Sequence, residues 1–490
     1  MSRSHNIVFV QTDSQDGRVM GCMGHPAMGM ATPNLDALAD RGVLFTDAYC
    51  NNPICCPSRA SMWSGQFTHH CEGWNNYKGL EPDAPTFRTR LDQAGYLTQT
   101  FGKTDYLSGS HTIRARVTPW TRAAGIRRPS YRIGPPRVLQ QDEPRVHRLD
   151  WGDVDRSVEW LAQAARSDRP FMLYLGIRAP HPGFTTSPRY LETIDEAGVA
   201  VPPPDERDHP VMQYMRVAKN WEHGFSEQTV RQVRRVYFAM IAEVDAMVGR
   251  VLAAVDELGL ADSTYVIFTS DHGEMAMEHR QVYKMTLYES SARVPLIIAG
   301  PDVGTGRRLE APVSLVDIYP TLMDMAGLPH PGGLDGHSLM PELTGRPGDR
   351  PDWVLGEFHD TACNTGTFML RRGDWKYIVY VGYDPQLFHL RDDPDEVRDL
   401  AQARPDVVSD MDRRLRQIVD CEAVDAKVKD YDRRSFRRWR AEQQAAGTYE
   451  QMMARVYSGW DDLADDAVQP WTARDEAIIQ RWLAGQPPQP

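Results

Sequence analysis

No stretch of the 490 residues is apolar over the roughly 18 positions that a membrane-crossing helix needs. The start, Met1 to His5, is polar and runs straight into a strand-like segment at 6–11, which leaves no room for a signal peptide and gives the expectation of a cytoplasmic protein. A trimmed secreted chain would read the same way. An excess of positive charge is also missing: 55 Lys and Arg face 67 Asp and Glu, for a net charge of -12. That balance argues against binding nucleic acid or an anionic membrane surface, while still admitting a small anion in a local basic pocket. Cysteine is scarce. The seven, Cys22, Cys50, Cys55, Cys56, Cys71, Cys363 and Cys421, are odd in number and lack zinc-site spacing, so neither a disulfide framework nor a structural zinc is expected. Internal repeats and low-complexity tracts are absent as well.

What is present is enough apolar material, 41% of residues, for one large core and a smaller appended module. Short β-branched or aromatic runs at 7–11, 96–101, 171–177, 265–269 and 295–299 alternate with helical patterns at 32–41, 153–165 and 226–258. This alternation predicts an α/β fold: a large mixed, mostly parallel sheet sandwiched by helices. The Pro- and Arg-rich stretches 118–148 and 202–222 lack periodicity and read as insertions that shape a pocket rim. The character changes after Gly345-Arg346-Pro347-Gly348. Residues 353–390 read as short strands of a small antiparallel sheet, with turns at Arg372-Gly373-Asp374 and Tyr383-Asp384-Pro385. Beyond Pro405 the chain is helical, charged and studded with Trp439, Trp460, Trp471 and Trp482, a tail expected to pack back on the body. The expected division is therefore 1–348 for the large α/β part, 349–405 for the small sheet and 406–490 for the helical extension.

In an open parallel sheet, ligands sit beyond the carboxyl ends of the strands. Asp13, Lys103, His181 and Asp271-His272 each follow one of the predicted strands, so all land at one edge. A solvated loop explains any one of them; four coincident strand ends are harder to explain that way. Asp13, Asp271 and a neutral His272 nitrogen suit a hard divalent ion, calcium ahead of zinc for want of a thiolate cluster, with magnesium and manganese open. The bland alternative for Asp271-His272-Gly273 is a strand-ending turn with a capping Asp.

The most specific segment is Pro53-Ile54-Cys55-Cys56-Pro57-Ser58-Arg59, followed by a helix-forming run to Gly65. Pro57 suits a first helical turn, which puts Cys55 at a helix N-terminus, where unpaired N–H groups favour an anion. Cys55-Cys56-Pro57-Ser58-Arg59 resembles the signature of the type I sulfatases of the alkaline phosphatase superfamily. The resemblance implies an alkaline-phosphatase-like fold and conversion of Cys55 to Cα-formylglycine by a separate formylglycine-generating enzyme. It also implies attack on sulfur by the hydrated aldehyde bound to calcium. It assigns Asp13, Cys55, Asp271 and His272 to the metal, Arg59 to the nucleophile, and Lys103, His181 and Lys284 to sulfate or the leaving oxygen.

Two departures from the common pattern stand out. Asp13 is followed by Ser14 rather than a second acid, with the next carboxylate at Asp16, so Ser14 is the candidate fourth protein ligand. Lys103 is followed by Thr104-Asp105-Tyr106 rather than Trp-His, which leaves His111 as a replacement histidine. The strings Trp74-Asn75-Asn76-Tyr77-Lys78-Gly79-Leu80, Phe101-Gly102-Lys103-Thr104-Asp105-Tyr106, Met277-Glu278-His279-Arg280-Gln281-Val282-Tyr283-Lys284-Met285 and Val313-Ser314-Leu315-Val316-Asp317-Ile318-Tyr319-Pro320-Thr321 are similar to a glucuronate-2-sulfatase branch of that family. A uronate 2-O-sulfate in a glycosaminoglycan-type saccharide is then the leading substrate, with an aryl sulfate as a simpler one. A uronate carboxylate calls for further polar side chains. The candidates are His70, Asn75, Asn76, Lys78, Asp105, His111, Arg178, His279 and Arg280. The rival enzymatic reading is a phosphonate monoester or phosphodiester hydrolase on the same framework, and the non-enzymatic one is an anion-binding protein that keeps the fold.

Overall fold

The computed structural model describes residues 5–109, 111–126, 134–458 and 468–486. Its strands are β1 (Asn6–Asp13), β2 (Gly42–Tyr49), β3 (Leu97–Gly102), β4 (Arg137–Val138), β5 (Phe171–Pro180), β6 (Thr185–Thr186) and β7 (Thr264–Ser270). They continue with β8 (Arg293–Ala299), β9 (Arg307–Leu309), β10 (Val313–Ser314), β11 (Trp353–Phe358), β12 (Thr367–Arg372), β13 (Trp375–Tyr380) and β14 (Gln386–His389). Eight of these form the main sheet in the order β10-β2-β8-β7-β1-β5-β3, with β9 also paired to β2. Every pairing is parallel except those of β8, which runs against both β2 and β7. The mostly parallel, helix-covered sheet expected from the sequence is what forms.

The apolar runs explain the layering. Along β1, Ile7 and Phe9 point into one apolar cluster with Met62, Trp63, Phe87, Leu322 and Met323. Val8 and Val10 point into another with Leu35, Leu38, Leu161, Val248 and Val251. A strand buried on both faces must be apolar at successive positions, and this is why it reads as a continuous run. Helices Cys55–Ser64, Phe87–Gln93 and Ile318–Met325 cover the first face, and Pro33–Asp40, Arg148–Ala164 and Glu227–Glu257 the second.

β2 is absent from the sequence-based list. Its apolar Val43-Leu44-Phe45 is broken by Thr46-Asp47, and there the pairing with β8 shifts register between Phe45 and Ala48. The irregularity interrupts the alternation that would have signalled the strand.

β11 to β14 form a four-stranded antiparallel sheet in chain order. Helix Pro405–Ile418 packs Met411 and Leu415 against its Phe368, Leu370, Tyr377 and Leu387. The following helices Cys421–Ala445, Tyr449–Ser458 and Ala473–Leu483 close over helix Ile113–Trp120. Phe436, Trp439, Met453, Ile479 and Trp482 meet Val117 and Trp120 there, with Trp471 packed at the margin. Trp460 and residues 127–133 of the first insertion lie outside the described residues. No helix among the described residues is long and apolar enough to cross a membrane.

Candidate functional site

β7, β1, β5 and β3 lie side by side, and their registers set Thr12 opposite Ser270, Asp13 opposite Pro180 and Gly102 opposite Gly176. The chain therefore delivers Asp271-His272, Asp13, His181 and Lys103 to one edge. Two glycines make the last approach feasible. A Cβ on Gly176 would stand 1.8 Å from the Lys103 carbonyl oxygen, and Gly102 takes φ +75°, so both positions need glycine where Lys103 leaves the sheet.

Helix Cys55–Ser64 enters this edge with its first residue, Cys55, and ends at Gly65 in the left-handed conformation. All ten of its residues are buried. The Cys56 N–H donates to the Asn76 carboxamide at 3.0 Å, one of the orphan groups of the helix start. Arg59, one turn on and fully buried, donates to Asp271 Oδ2 at 2.8 Å and the Tyr174 hydroxyl at 2.8 Å. It also reaches the Lys103 carbonyl at 2.9 Å, Gln11 Oε1 at 3.2 Å and the Thr12 carbonyl at 3.4 Å. One guanidinium thus ties the ends of β7, β1 and β3, and Tyr174 within β5, to the helix that presents Cys55.

One ligand atom from each of Asp13, Cys55, Asp271 and His272 lies within 4.8 Å of the others, and all four residues are buried. Cys55 Sγ is 3.7 Å from Asp13 Oδ2 and 3.3 Å from His272 Nε2. Ser14, in the left-handed region, donates its hydroxyl to Asp13 Oδ1 at 2.9 Å and so stands at the edge of this group. Asp16 turns away, to Arg18 at 2.7 Å.

The charges fit a cation among these residues. Burial alone would raise the Asp13 carboxyl, but the ammoniums of Lys103 and Lys284 outweigh it and hold it well below the usual carboxylate range. Lys103 forms an ion pair with Asp13. Burial, with Lys284, pushes His272 down to about 4 against Asp271 and Asp13. Its Nδ1 stands 2.9 Å from the Gly273 carbonyl, a contact an N–H makes, which leaves an unprotonated Nε2 facing the cluster. Burial and Asp13 push the Cys55 thiol up to about 11, so an unmodified Cys55 is protonated and offers no thiolate. Two carboxylates and a neutral imidazole without a thiolate are a donor set for a hard divalent ion.

A cavity of about 500 Å³ opens above, lined by Asp13, Lys103, Asp105, His147, Arg178 and His181 among others. Burial, Lys284 and Lys103 push His181 down to about 3, and its Nδ1 lies 2.5 Å from the Pro182 carbonyl. The ring is neutral, with Nε2 as its free acceptor. Lys284 is buried and electrostatically close to Cys55 and Asp13, and no hydrogen bond or ion pair among the described residues holds its ammonium. Asp105 stands 3.4 Å from both Lys103 and His111. Arg178 is fixed by Asp150 at 3.0 Å and Asp153 at 2.7 Å, with 44% of its side chain still exposed.

The remaining sequence candidates lie outside the residues lining this cavity. Asn75 is buried and caps its own turn, accepting from Tyr77 and Lys78 N–H groups at 3.0 and 2.9 Å. Asn76 caps the helix that begins at Cys55. His70 pairs with Asp335 at 2.8 Å and Lys78 with Glu81 at 2.7 Å, and both line a separate cavity. His279 stacks on Tyr288 and hydrogen-bonds Asp205, while Arg280 donates to the Pro202 carbonyl at 2.8 Å. Sequence reasoning missed His147, which lines the cavity and is held by Glu243 at 2.6 Å, and the Arg59 anchors Gln11 and Tyr174.

Residues 5–328 match the sulfatase family model, and residues 277–420 match that of the N-sulphoglucosamine sulphohydrolase C-terminal region. The chain is 40% identical to arylsulfatase K of Xenopus laevis over 485 residues, covering 93% of this chain and 90% of that one. It is 39% identical to arylsulfatase K of Homo sapiens over 511 residues, covering 98% and 93%. Among solved structures, a phosphonate monoester hydrolase of Agrobacterium radiobacter superposes with a TM-score of 0.70 at 24% identity, over 86% of this chain and 96% of that one. A 2-O GAG sulfatase superposes with a TM-score of 0.66 at 22% identity, over 90% and 94%. At that identity the likeness is one of fold. The cytoplasmic expectation is corrected by the curated matches. It rested on a polar start and a missing apolar run, and neither feature sets the chain apart in compartment from the arylsulfatase K proteins it matches nearly end to end.

Proposed function

From the premise that the chain belongs to the sulfatase family and is a sulfuric ester hydrolase, we propose that it removes a 2-O-sulfate from a uronate of glucuronate type. The nucleophile is Cα-formylglycine made from Cys55 by a formylglycine-generating enzyme, and the metal is one divalent ion, calcium ahead of magnesium or manganese. The observation that carries this reading is the buried cluster of Asp13, Cys55, Asp271 and His272, whose Asp13 lines a cavity walled by Lys103 and His181.

Asp13, Asp271 and His272 would hold the ion, with Ser14 beside them. A bound ion would supply positive charge to the sulfate oxygens, and an oxidised, hydrated residue 55 would supply the attacking oxygen. The chain's own groups do the rest. Lys103 and Lys284 place two ammonium groups where charge builds on sulfate, usually the largest catalytic term. Lys284, unpaired among the described residues, protonates the leaving oxygen; His181 has its N–H turned to the Pro182 carbonyl and offers Nε2 as an acceptor for a hydroxyl of the substrate sugar. Arg59 keeps the nucleophile helix in register with the strand ends. The uronate reading rests on the motif strings similar to the glucuronate-2-sulfatase branch, together with Arg178, whose half-exposed guanidinium at the cavity wall suits a carboxylate.

The test couples mass spectrometry of the residue-55 peptide to sulfate release from a 2-sulfated uronide disaccharide. The expected result is an aldehyde at residue 55 and turnover of the disaccharide, with an aryl phosphodiester turned over far more slowly. Release only from other sulfated sugars would remove the uronate reading and leave the sulfatase standing. A much larger kcat/KM for the diester would displace the sulfate preference itself.

A further inference from the structure

Outside the catalytic cavity, the described residues form a second cavity of about 560 Å³ where helix Ile113–Trp120 faces helix Cys421–Ala445. Its walls carry Arg116, Arg434 and Arg438 beside Tyr77, Trp120 and Trp439. Resting on the function proposed above, we propose that this groove holds the continuing chain of a polyanionic saccharide whose sulfated end sits over Asp13 and residue 55.

Three features support the placement. The first is charge. The chain as a whole carries -12, yet the groove gathers three guanidiniums and Lys78 against Glu81 and Glu442. Lys78 and Glu81 cancel one another at 2.7 Å, and Arg434 is partly satisfied by Asp430 at 2.7 Å. Arg438 is exposed and makes no hydrogen bond or ion pair among the described residues. Planar guanidiniums match carboxylate and sulfate oxygens in pairs.

The second is shape chemistry. Partly exposed Tyr77 and buried Trp120 hold the Arg116 guanidinium by their rings, 4.9 Å from that of Tyr77 and 5.5 Å from that of Trp120, so this cation is set in place at the groove wall before any ligand arrives. Trp439, only 2% exposed, borders the groove with an enclosed indole N–H that has no partner among the described residues. Tyr431, Arg434, Arg438 and Glu442 recur at helical spacing, so one face of the helix points into the groove.

The third is connection. Asp105 lines the catalytic cavity and Ser108 lines the groove, and three residues of chain span at most about 11 Å. On the other side, Tyr77 follows Asn76, which caps the helix of Cys55. A short oligosaccharide could therefore touch both.

The test uses the full chain carrying Cys55→Ala, so that binding is read without turnover. Its probe is a sulfated uronate-containing hexasaccharide that lacks the terminal 2-sulfate, titrated calorimetrically beside a disaccharide of the same composition. The hexasaccharide is expected to bind more tightly than the disaccharide, and Arg438→Ala, or Arg116→Ala with it, to weaken it about five- to ten-fold while leaving the disaccharide unchanged. Arg438→Lys should lose part of that advantage. Equal affinity for the two lengths, or equal weakening of both by Arg438→Ala, would overturn the groove. So would a single-stranded DNA of matched charge that binds as tightly with the same Arg438 dependence, since a saccharide would then not be what the walls select. Failure of the 2-sulfated disaccharide to release sulfate bears on the proposed function alone, because this probe carries no such ester.

Discussion

Arg59 and Asp271 face each other at 2.8 Å with no solvent exposure of either side chain. Removing one partner of such a pair typically costs about 3–5 kcal/mol because the other charge is left buried and uncompensated. Arg59→Ala is therefore expected to lower unfolding stability by about that amount in denaturant titration. Arg59→Lys should restore part of the stability but less of the activity, since one ammonium cannot span Asp271, Tyr174, Gln11 and the Lys103 carbonyl together. The sequence made Arg59 visible through its spacing from Cys55, and Asp13, Lys103, His181 and Asp271 through their places after strand-like runs. Gln11 and Tyr174 stayed hidden because they sit inside those runs, where a polar side chain reads as an ordinary strand position. His70, His279 and Arg280 have the right chemistry for a saccharide site, but their partners Asp335, Asp205 and the Pro202 carbonyl were beyond reach of local pattern, whereas Lys78 pairs with Glu81 only three residues on. A binding role cannot be assigned from residue type when the competing partner is distant in the chain.

At the scale of elements, the site depends on how closely β3 and β5 approach at Gly102 and Gly176. Placing Gly176→Ala here puts a methyl 1.8 Å from backbone oxygen, which only a movement of the β3 end can relieve. Overpacking of this kind typically costs about 1–3 kcal/mol. The movement carries Lys103 and the Arg59 contact with it, so kcat should fall more steeply than stability. Paired thermal unfolding and initial-rate measurements check this, and a variant as active as the parent would show that the close approach does not position Lys103. β1, β5 and β7 were legible because parallel strands buried on both faces leave apolar runs, while β3, half-buried at the sheet edge, carries Thr98, Gln99 and Thr100 between its apolar ends. β2 was not, because its Thr46-Asp47 irregularity replaces the run with a polar pair. The four-stranded sheet was legible from its turns, and three of the tail tryptophans, Trp439, Trp471 and Trp482, join the packing against helix Ile113–Trp120.

At the scale of the whole molecule, the net charge of -12 argued against nucleic acid and anionic membranes as partners but said nothing of compartment, and there the sequence expectation failed. Two global measurements follow from the charges instead. A divalent ion that binds Asp13, Asp271 and His272 only in the folded state should raise the unfolding midpoint with the logarithm of its concentration. The stabilisation is about 2.7 kcal/mol at a hundred times Kd. Chelation should lower the midpoint, calcium should restore it, and Asp271→Asn should remove the dependence; a midpoint indifferent to calcium and chelator would argue against the ion.

The second measurement concerns acid. Glu278 joins two distant parts of the fold, pairing with Arg18 at 2.7 Å beyond β1 and with Arg234 at 3.4 Å on helix Glu227–Glu257. Burial would raise its carboxyl, but the two guanidiniums outweigh that and hold it at about 2, against an ordinary 4.5. Because the folded value lies below the unfolded one, this group adds stability in full above pH 4.5. That contribution fades as pH falls from 4.5 toward 2. Glu278→Gln should lower stability at neutral pH and flatten the acid limb of the stability profile over that window, so that the two proteins converge as the pH approaches 2. If the variant and the parent instead differed by the same amount at every pH, the loss would come from packing around residue 278 rather than from its charge.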